Sequence, residues 1–217
     1  MTNDRTHFVL IKREGLARDG RALSALDSAM ALLGVGLWPL WEHTRNRKSI
    51  RAGAKLAVYL AGQGGQVVAT AGARDVTPWS AGLAKRYPLV LDGTPEAAIH
   101  LKDVRMLSMP VQVRSRIGEL SFLAGRNTSK WGVAFMGGTR AVCEQDFRVL
   151  TTPARLPGVA VCIGCGCDDM HACEEGCWWL RVDRAVQLGV CSSCAAHVSR
   201  WDAGDRTLSE ESLAEEL

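Results

Sequence analysis

The chain has 217 residues, 47% of them hydrophobic, which is enough to bury one medium-sized core with a small second unit and excludes a disordered or fibrous chain. Its net charge of +3 is unevenly spread: residues 1–150 carry 21 Lys/Arg against 12 Asp/Glu, whereas residues 202–217 carry 1 against 6, so a basic body suited to phosphate-bearing partners precedes an acidic tail. MTNDRTHFVLIKREG has no signal-peptide pattern, and the longest apolar stretch, residues 29–40, falls short of the roughly 20 residues that span a bilayer, so a cytoplasmic protein with no membrane partner is expected.

THFVLIK, apolar and β-branched, predicts the first strand. Over residues 19–33, Leu23, Leu26, Met30 and Leu33 recur at helical spacing; Asp19 is placed to cap the start, and Gly34 and Gly36 end the helix. Residues 45–55 hold five cations and no acid and read as a basic loop. KLAVYLAG predicts a buried strand, GQGG its turn and QVVATAGARDV its hairpin partner. AIHLKDVRML, PVQVRSRI and WGVAFMG are further strand-like runs, and residues 143–150 read as a short closing helix. Many short strands with few helices define an α+β unit, a compact mixed β-barrel with flanking helices. TTPARLPGV, with its prolines, reads as a linker. The expected parts are therefore a body over 1–152, a metal-binding segment over 160–200 and a solvated acidic tail over 201–217.

Within WPLWEHTRNRKSIRAGAKLAVYLAG, Trp38 and Trp41 flank a proline, and a cationic loop leads on to Tyr59. Indole faces stack on bases at about 1–3 kcal/mol per base, and Arg45, Arg47, Lys48 and Arg51 supply charge for the flanking phosphates. A stacking surface beside cations is what an extruded base requires. The competing reading makes the tryptophans core and the cations a solvated face. Three blocks, LWPLWEHTRNRKSIRAGAKLAVYLAG, QVVATAGARDVTPW and LSFLAGRNTSKWGVAFMGGTRAVCEQDFRVL, resemble the EVE domain, a member of the PUA-like barrel group. In the last block Leu120, Phe122, Trp131, Gly132, Phe135, Gly137, Gly138, Asp146 and Phe147 match that family's pattern, and the resemblance covers about residues 5–150. It implies a pocket for a flipped, often modified, base, lined from the first and last blocks. Carried over residue by residue, the pocket takes Trp38, Trp41, Thr44, Asn46, Tyr59 and Trp131, with Trp79 added after the hairpin and Arg45 and Arg47 on its cationic side. Trp41, Glu42, Arg45 and Asn46 match a Trp-Asp/Glu-Gly-Val-Arg-Asn block of many EVE proteins, but His43 and Thr44 replace its Gly-Val pair, leaving the accepted base unspecified.

Seven of the eight cysteines fall between Cys162 and Cys194, spaced C-x2-C-x-C-x5-C-x3-C-x13-C-x2-C. In a reducing compartment such a cluster points to metal rather than to disulfides. The pairs Cys162/Cys165 and Cys191/Cys194 have the spacing of a zinc ribbon, in which four thiolates close a tetrahedron around one Zn2+. So short a piece would draw much of its folding energy from the metal. Cys167, His171, Cys173 and Cys177 remain, and three assignments stay open: a second zinc site, an iron–sulfur cluster, or buried thiols packing as small hydrophobes. The string CIGCGCDDMHACEEGCWW…GVCSSC resembles a small cysteine motif attached to phage and bacterial proteins, and Trp178 and Trp179 are expected to cover its metal core.

No catalytic set accompanies these features. His7, His43 and His100 are scattered, and GQGGQ lacks the helix of a phosphate cradle. The zinc deaminase signature, His-x-Glu with Pro-Cys-x-x-Cys, is absent. The sequence therefore reads as a non-enzymatic reader of DNA or RNA carrying a modified base, with one or two Zn2+ ions. The alternatives are a protein-interaction module built on the knuckle and tail, and a zinc-dependent enzyme that modifies nucleic acid.

Overall fold

In the first of two units, residues 1–152, the order is β1 (His7–Lys12), β2 (Gly15–Leu16), β3 (Ala22–Leu23), α1 (Ala25–Val35), β4 (Leu37–Leu40), β5 (Lys55–Leu60), β6 (Gln66–Pro78), α2 (Ala81–Arg86) and β7 (Ala97–Gln112). Short 3-10 turns at Val113–Glu119, Ser121–Leu123 and Thr128–Phe135 lead to β8 (Thr139–Val142) and α3 (Glu144–Thr151). This computed structural model describes residues 6–62, 65–152, 158–209 and 212, apart from the Thr128 side chain. Gln63 and Gly64 of the expected turn, and 153–157 of the expected linker, lie outside the described residues.

The strands form one six-stranded sheet, ordered β4-β7-β6-β5-β1-β8; β1 and β5 run parallel and the other pairs antiparallel. Among the described residues no ladder joins β4 to β8, so the sheet is a half-barrel rather than the closed barrel expected. Register irregularities at Val67/Ala69, Thr70/Gly72 and Ala73/Asp75 let the long β6–β7 ribbon curl.

Alternation along the strands divides the interior in two. Phe8 and Leu10 of β1, with Leu56, Val58 and Leu60 of β5, enter one core; Val9, Ala57 and Tyr59 enter the other. Successive strand side chains point to opposite faces, so the sheet separates the two cores. The first is covered by α1, through Ala29, Leu32 and Leu33, and the second by the 113–135 turns and α3, through Leu120, Phe135, Phe147 and Leu150.

Three local predictions change. Helix α1 starts at Ser24, whose Oγ accepts from the Asp27 amide at 3.0 Å, and ends where Gly36 adopts φ 64°. Asp19 instead accepts from the Arg21 amide in the β2–β3 turn, which leaves Leu26 and Met30 exposed. The two runs AIHLKDVRML and PVQVRSRI merge into β7 up to Gln112. The run around Trp131 is a 3-10 turn, started by the Asn127 side chain accepting from the Ser129 amide at 2.9 Å; the strand follows it at Thr139.

The second unit, residues 153–217, holds β9 (Val161–Cys162), β10 (Trp179–Asp183), β11 (Leu188–Cys191), a 3-10 turn at Ser192–His197 and α4 (Val198–Asp202). β11 lies between antiparallel β10 and parallel β9. Its apolar core is small: Ile163, Leu188, Val190 and Trp201, with Val198 and Leu208 against them. Ser209 donates its amide to the Ile163 carbonyl (2.8 Å), and the buried Ser212 donates its hydroxyl to the Cys162 carbonyl (2.9 Å). This stretch of the acidic tail therefore packs on the cysteine segment. Among the described residues no helix is long and apolar enough to cross a membrane.

His7 is buried against Phe147, with ring centroids 5.0 Å apart, and among the described residues its Nε2 has no partner. Burial, with Lys55 nearby, holds its pKa below the ordinary 6.5. Neutral His7 therefore contributes stability that is complete above pH 6.5 and is lost as pH falls through the lower folded value. Denaturant unfolding of the wild type should weaken below that pH, and His7→Leu should flatten the slope. An unchanged slope in the variant would refute this assignment.

Candidate nucleic-acid interface and metal centre

The basic loop after β4 reaches across to the segment leading into β8. The Arg45 amide donates to the Gly137 carbonyl at 2.9 Å, and the Thr139 hydroxyl donates to the Arg45 carbonyl. A Cβ on Gly137 would lie 2.8 Å from Arg45 Cδ, and one on Gly138 3.2 Å from Thr44 Cγ2. Both glycines also have positive φ, 89° and 80°, so only residues without a side chain fit comfortably here. Thr44 fixes the turn before the seam by accepting from the Trp41 amide at 2.9 Å, and Asn46 takes the left-handed conformation, φ 58°. Arg47 donates to the Glu42 carbonyl at 3.0 Å and pairs with Glu96.

On the second core's side of the sheet, aromatic rings run outward from β5. Tyr59 stacks on Phe135 at 4.3 Å, and Trp131 and Phe122 each meet Phe135 edge-on at 5.8 Å. Trp131 is half-buried and lines a cleft of about 450 Å³ with Arg114, Ile117, Gly118 and Ser129. The Arg140 guanidinium lies 3.9 Å over the Phe122 ring and donates to the Ala134 carbonyl at 2.9 Å, while its buried Nε has no partner among the described residues. Burial, then the charges of Arg126 and Arg45, lower the Arg140 pKa, against the opposing influence of Asp146. The buried Asp146 accepts from the Ser121 amide and hydroxyl, both at 2.7 Å, and so anchors the turn that carries Phe122.

The predicted aromatic set does not assemble as one pocket. Trp38 is 4% exposed in the α1-side core and Trp79 packs on that core, T-shaped to Tyr87 at 5.8 Å. Both belong to the core opposite the one holding Tyr59 and Trp131. Tyr59 itself is 3% exposed, a backing for Phe135 rather than an open face, and burial pushes its pKa up to about 12. The Trp41 indole donates to the Asp92 carbonyl at 3.1 Å. What the structure does join is Thr44 and Arg45 to Gly137–Thr139, and Trp131 to Tyr59 through Phe135. Sequence reasoning missed Arg114, Arg126 and Arg140; the one signal was the interleaving of Arg126, Lys130 and Arg140 with the aromatic block around Trp131.

In the second unit seven thiols converge. The sulfurs of Cys162, Cys165, Cys167 and Cys191 lie within 4.8 Å of one another, and so do those of Cys167, Cys173, Cys177 and Cys191. Contacts of 3.7 Å (Cys165–Cys173 and Cys165–Cys191) and 3.6 Å (Cys167–Cys177) match the edge of a ZnS4 tetrahedron, about 3.8 Å for Zn–S bonds of roughly 2.3 Å. The cluster is thus positioned to bind a metal ion. Cys194 packs among these thiols, and a Cβ on Gly164 would lie 2.6 Å from its Sγ. His171 is not a member: its side chain is 83% exposed and faces Asp168 at 3.1 Å, because the Asp168 carboxylate already closes that turn through the Met170 and His171 amides. Trp179 covers the thiols, its ring on Gly189 and its indole donating to Asp169 at 2.8 Å, whereas Trp178 is 69% exposed.

Amide donors serve the sulfurs directly. Cys162 Sγ accepts from the Gly164 and Cys191 amides, both at 3.4 Å, and Cys177 Sγ accepts from the Cys173 amide at 3.4 Å. Burial alone would raise the Cys162 pKa, but these donors outweigh it and hold it below 9.0. Burial and neighbouring sulfurs push Cys191 up to about 12 and raise Cys167 and Cys194 as well. Thiols so crowded cannot all ionise without a cation among them.

No family model matches the sequence, and no curated protein matches it. Solved structures of ASCH from Zymomonas mobilis are similar in outline. The ASCH structure itself is 12% identical with a TM-score of 0.45, covering 67% of this chain and 94% of that one. Two point mutants of it give 11% with TM-score 0.44 (66% and 95% covered) and 14% with 0.43 (67% and 94%). Likeness at this level decides neither fold nor function.

Gly65 tests the aromatic packing. Its Cβ would fall 2.5 Å from the Trp131 ring and 2.8 Å from the Tyr59 hydroxyl. Gly65→Ala should therefore destabilise the first unit by about 1–3 kcal/mol and shift tryptophan fluorescence. Gly34→Ala, in α1 with open space around it, should be neutral or stabilise by roughly 0.5–1 kcal/mol. Equal effects of the two in denaturant unfolding would contradict the packing described.

Proposed function

We propose that the first unit is an EVE-type, PUA-like module that binds DNA or RNA by taking an unstacked, modified base against Trp131. One observation carries the reading: the Trp131 indole lines an open cleft together with Arg114. A base has a π-face for the indole whatever its sequence, and guanidinium groups match phosphate oxygens in a fork. Arg140 is held in place by the Phe122 ring and the Ala134 carbonyl. The resemblance of the first and last blocks to EVE domains agrees with this, since those blocks meet at Arg45 and Gly137. Trp38 and Trp79 drop out of the site and act as core. In this reading the second unit holds zinc as a structural ion: a site closed by thiolates leaves no open position for catalysis.

Trp131→Ala should weaken binding roughly ten-fold or more across an array of oligonucleotides with different base modifications. Arg126→Gln should reduce the slope of log affinity against log salt by about one unit. Trp38→Phe should leave affinity unchanged. If Trp131→Ala binds like the wild type on every probe, the assignment fails.

A further inference from the structure

We infer that the cysteine unit is binuclear: it holds two zinc ions that share the Cys191 thiolate. The inference rests on the reading of this unit as metal-bound, and it fixes how many ions are held and by which atoms.

Two tetrahedral sites need eight ligand positions. Seven thiols are gathered here, so one must serve twice if both sites are to close on sulfur alone. Cys191 has the place for it. Its sulfur, like that of Cys167, belongs to both four-sulfur groups; of the two, Cys191 touches Cys165 at 3.7 Å and stands one C-x2-C step from Cys194, whereas Cys167 touches Cys177 at 3.6 Å. It stands at the end of β11, the central strand, between the two stretches that supply the other ligands. On one side are Cys162 and Cys165 of the β9 turn and Cys194, whose sulfur and Cβ lie so close to Gly164 that no side chain fits between them. On the other side are Cys167, Cys173 and Cys177, with Cys177 taking the Cys173 amide. The first ion is thus held by Cys162, Cys165, Cys194 and Cys191, and the second by Cys167, Cys173, Cys177 and Cys191. The position that His171 would have filled is taken by Cys191, and the imidazole points to Asp168.

Burial is alike in the two sites: Cys162 and Cys191 of the first and Cys167 and Cys191 of the second are buried, while Cys165, Cys194, Cys173 and Cys177 are half-buried. Cys191 is the buried thiol common to both. On binding, each S–H bond is replaced by an S–Zn bond and the proton passes to solvent; no sulfur changes oxidation state.

The test is the metal content of the full-length protein, purified in reductant and loaded with zinc, by native mass spectrometry and elemental analysis. Two zinc ions per chain are expected in the wild type and in His171→Ala. Cys177→Ser should keep one, Cys194→Ser should keep one, and Cys191→Ser should keep none or bind both far more weakly. Titration of the wild type with Co2+ gives a second reading that needs no variant to fold: thiolate charge-transfer absorption should rise until two equivalents are added. One ion in the wild type, loss of an ion in His171→Ala, or two ions retained in Cys194→Ser or Cys191→Ser would each overturn the shared-thiolate arrangement. Absence of any bound metal would overturn the metal reading of the unit itself.

Discussion

The seam between the basic loop and the twin glycines sets the geometry of the first unit. The sheet ends at β4 and β8 without a ladder between them, and two hydrogen bonds, Arg45 amide to Gly137 carbonyl and Thr139 hydroxyl to Arg45 carbonyl, tie the loop after one edge to the approach to the other. The contact needs Gly137 and Gly138, since the Arg45 stem and the Thr44 side chain occupy the space where Cβ atoms would be. Because it holds, the Arg45 backbone is tied to the segment that leads into Arg140. The seam is a place where the backbone comes close enough to exclude side chains.

Much of the framework was legible from periodicity. β1, β5 and β6 follow from apolar runs, and the short closing helix from its position after Cys143. The start of α1 was misread because Asp19 and Ser24 are both good caps, and only pairing of Ala22–Leu23 with Gly15–Leu16 excludes the earlier one. Trp131 was placed on a strand because its neighbours are apolar, whereas Asn127 nucleates a 3-10 turn instead. The aromatic set failed for a deeper reason. Trp38 and Trp131 both sit in blocks that the fold brings near each other, but a sheet has two faces, and nothing in the spacing said which face each indole would take. Arg114, which borders the cleft, carries no motif in the sequence, since it meets Trp131 only after the chain has folded.

The second unit reverses the balance of forces. Four residues form its apolar core, too few to hold such a segment unaided, and part of the acidic tail is recruited to cover it through Leu208, Ser209 and Ser212. Cation–π packing of Arg206 on Trp201, 3.6 Å from the ring, adds to that cover. The thiols take the place that apolar side chains hold in the first unit. Their crowding is unfavourable for the ionised forms, and in the metal-bound reading an ion that neutralises them couples folding to metal binding. Sequence spacing identified the cysteines but gave the last ligand position to His171; the turn closed by Asp168 points that ring away.

In the proposed reading, a sheet that buries Trp38 and leaves Trp131 beside an Arg114-bordered cleft makes one face of the first unit the reading face. Photo-crosslinking a bound oligonucleotide, with the attached peptides mapped by mass spectrometry, tests this most directly. Adducts should concentrate in residues 114–140, with Trp131 modified and the Arg45 loop next in yield. Adducts confined to the peptides of Trp38 and Trp79, or to the cysteine unit alone, would contradict it.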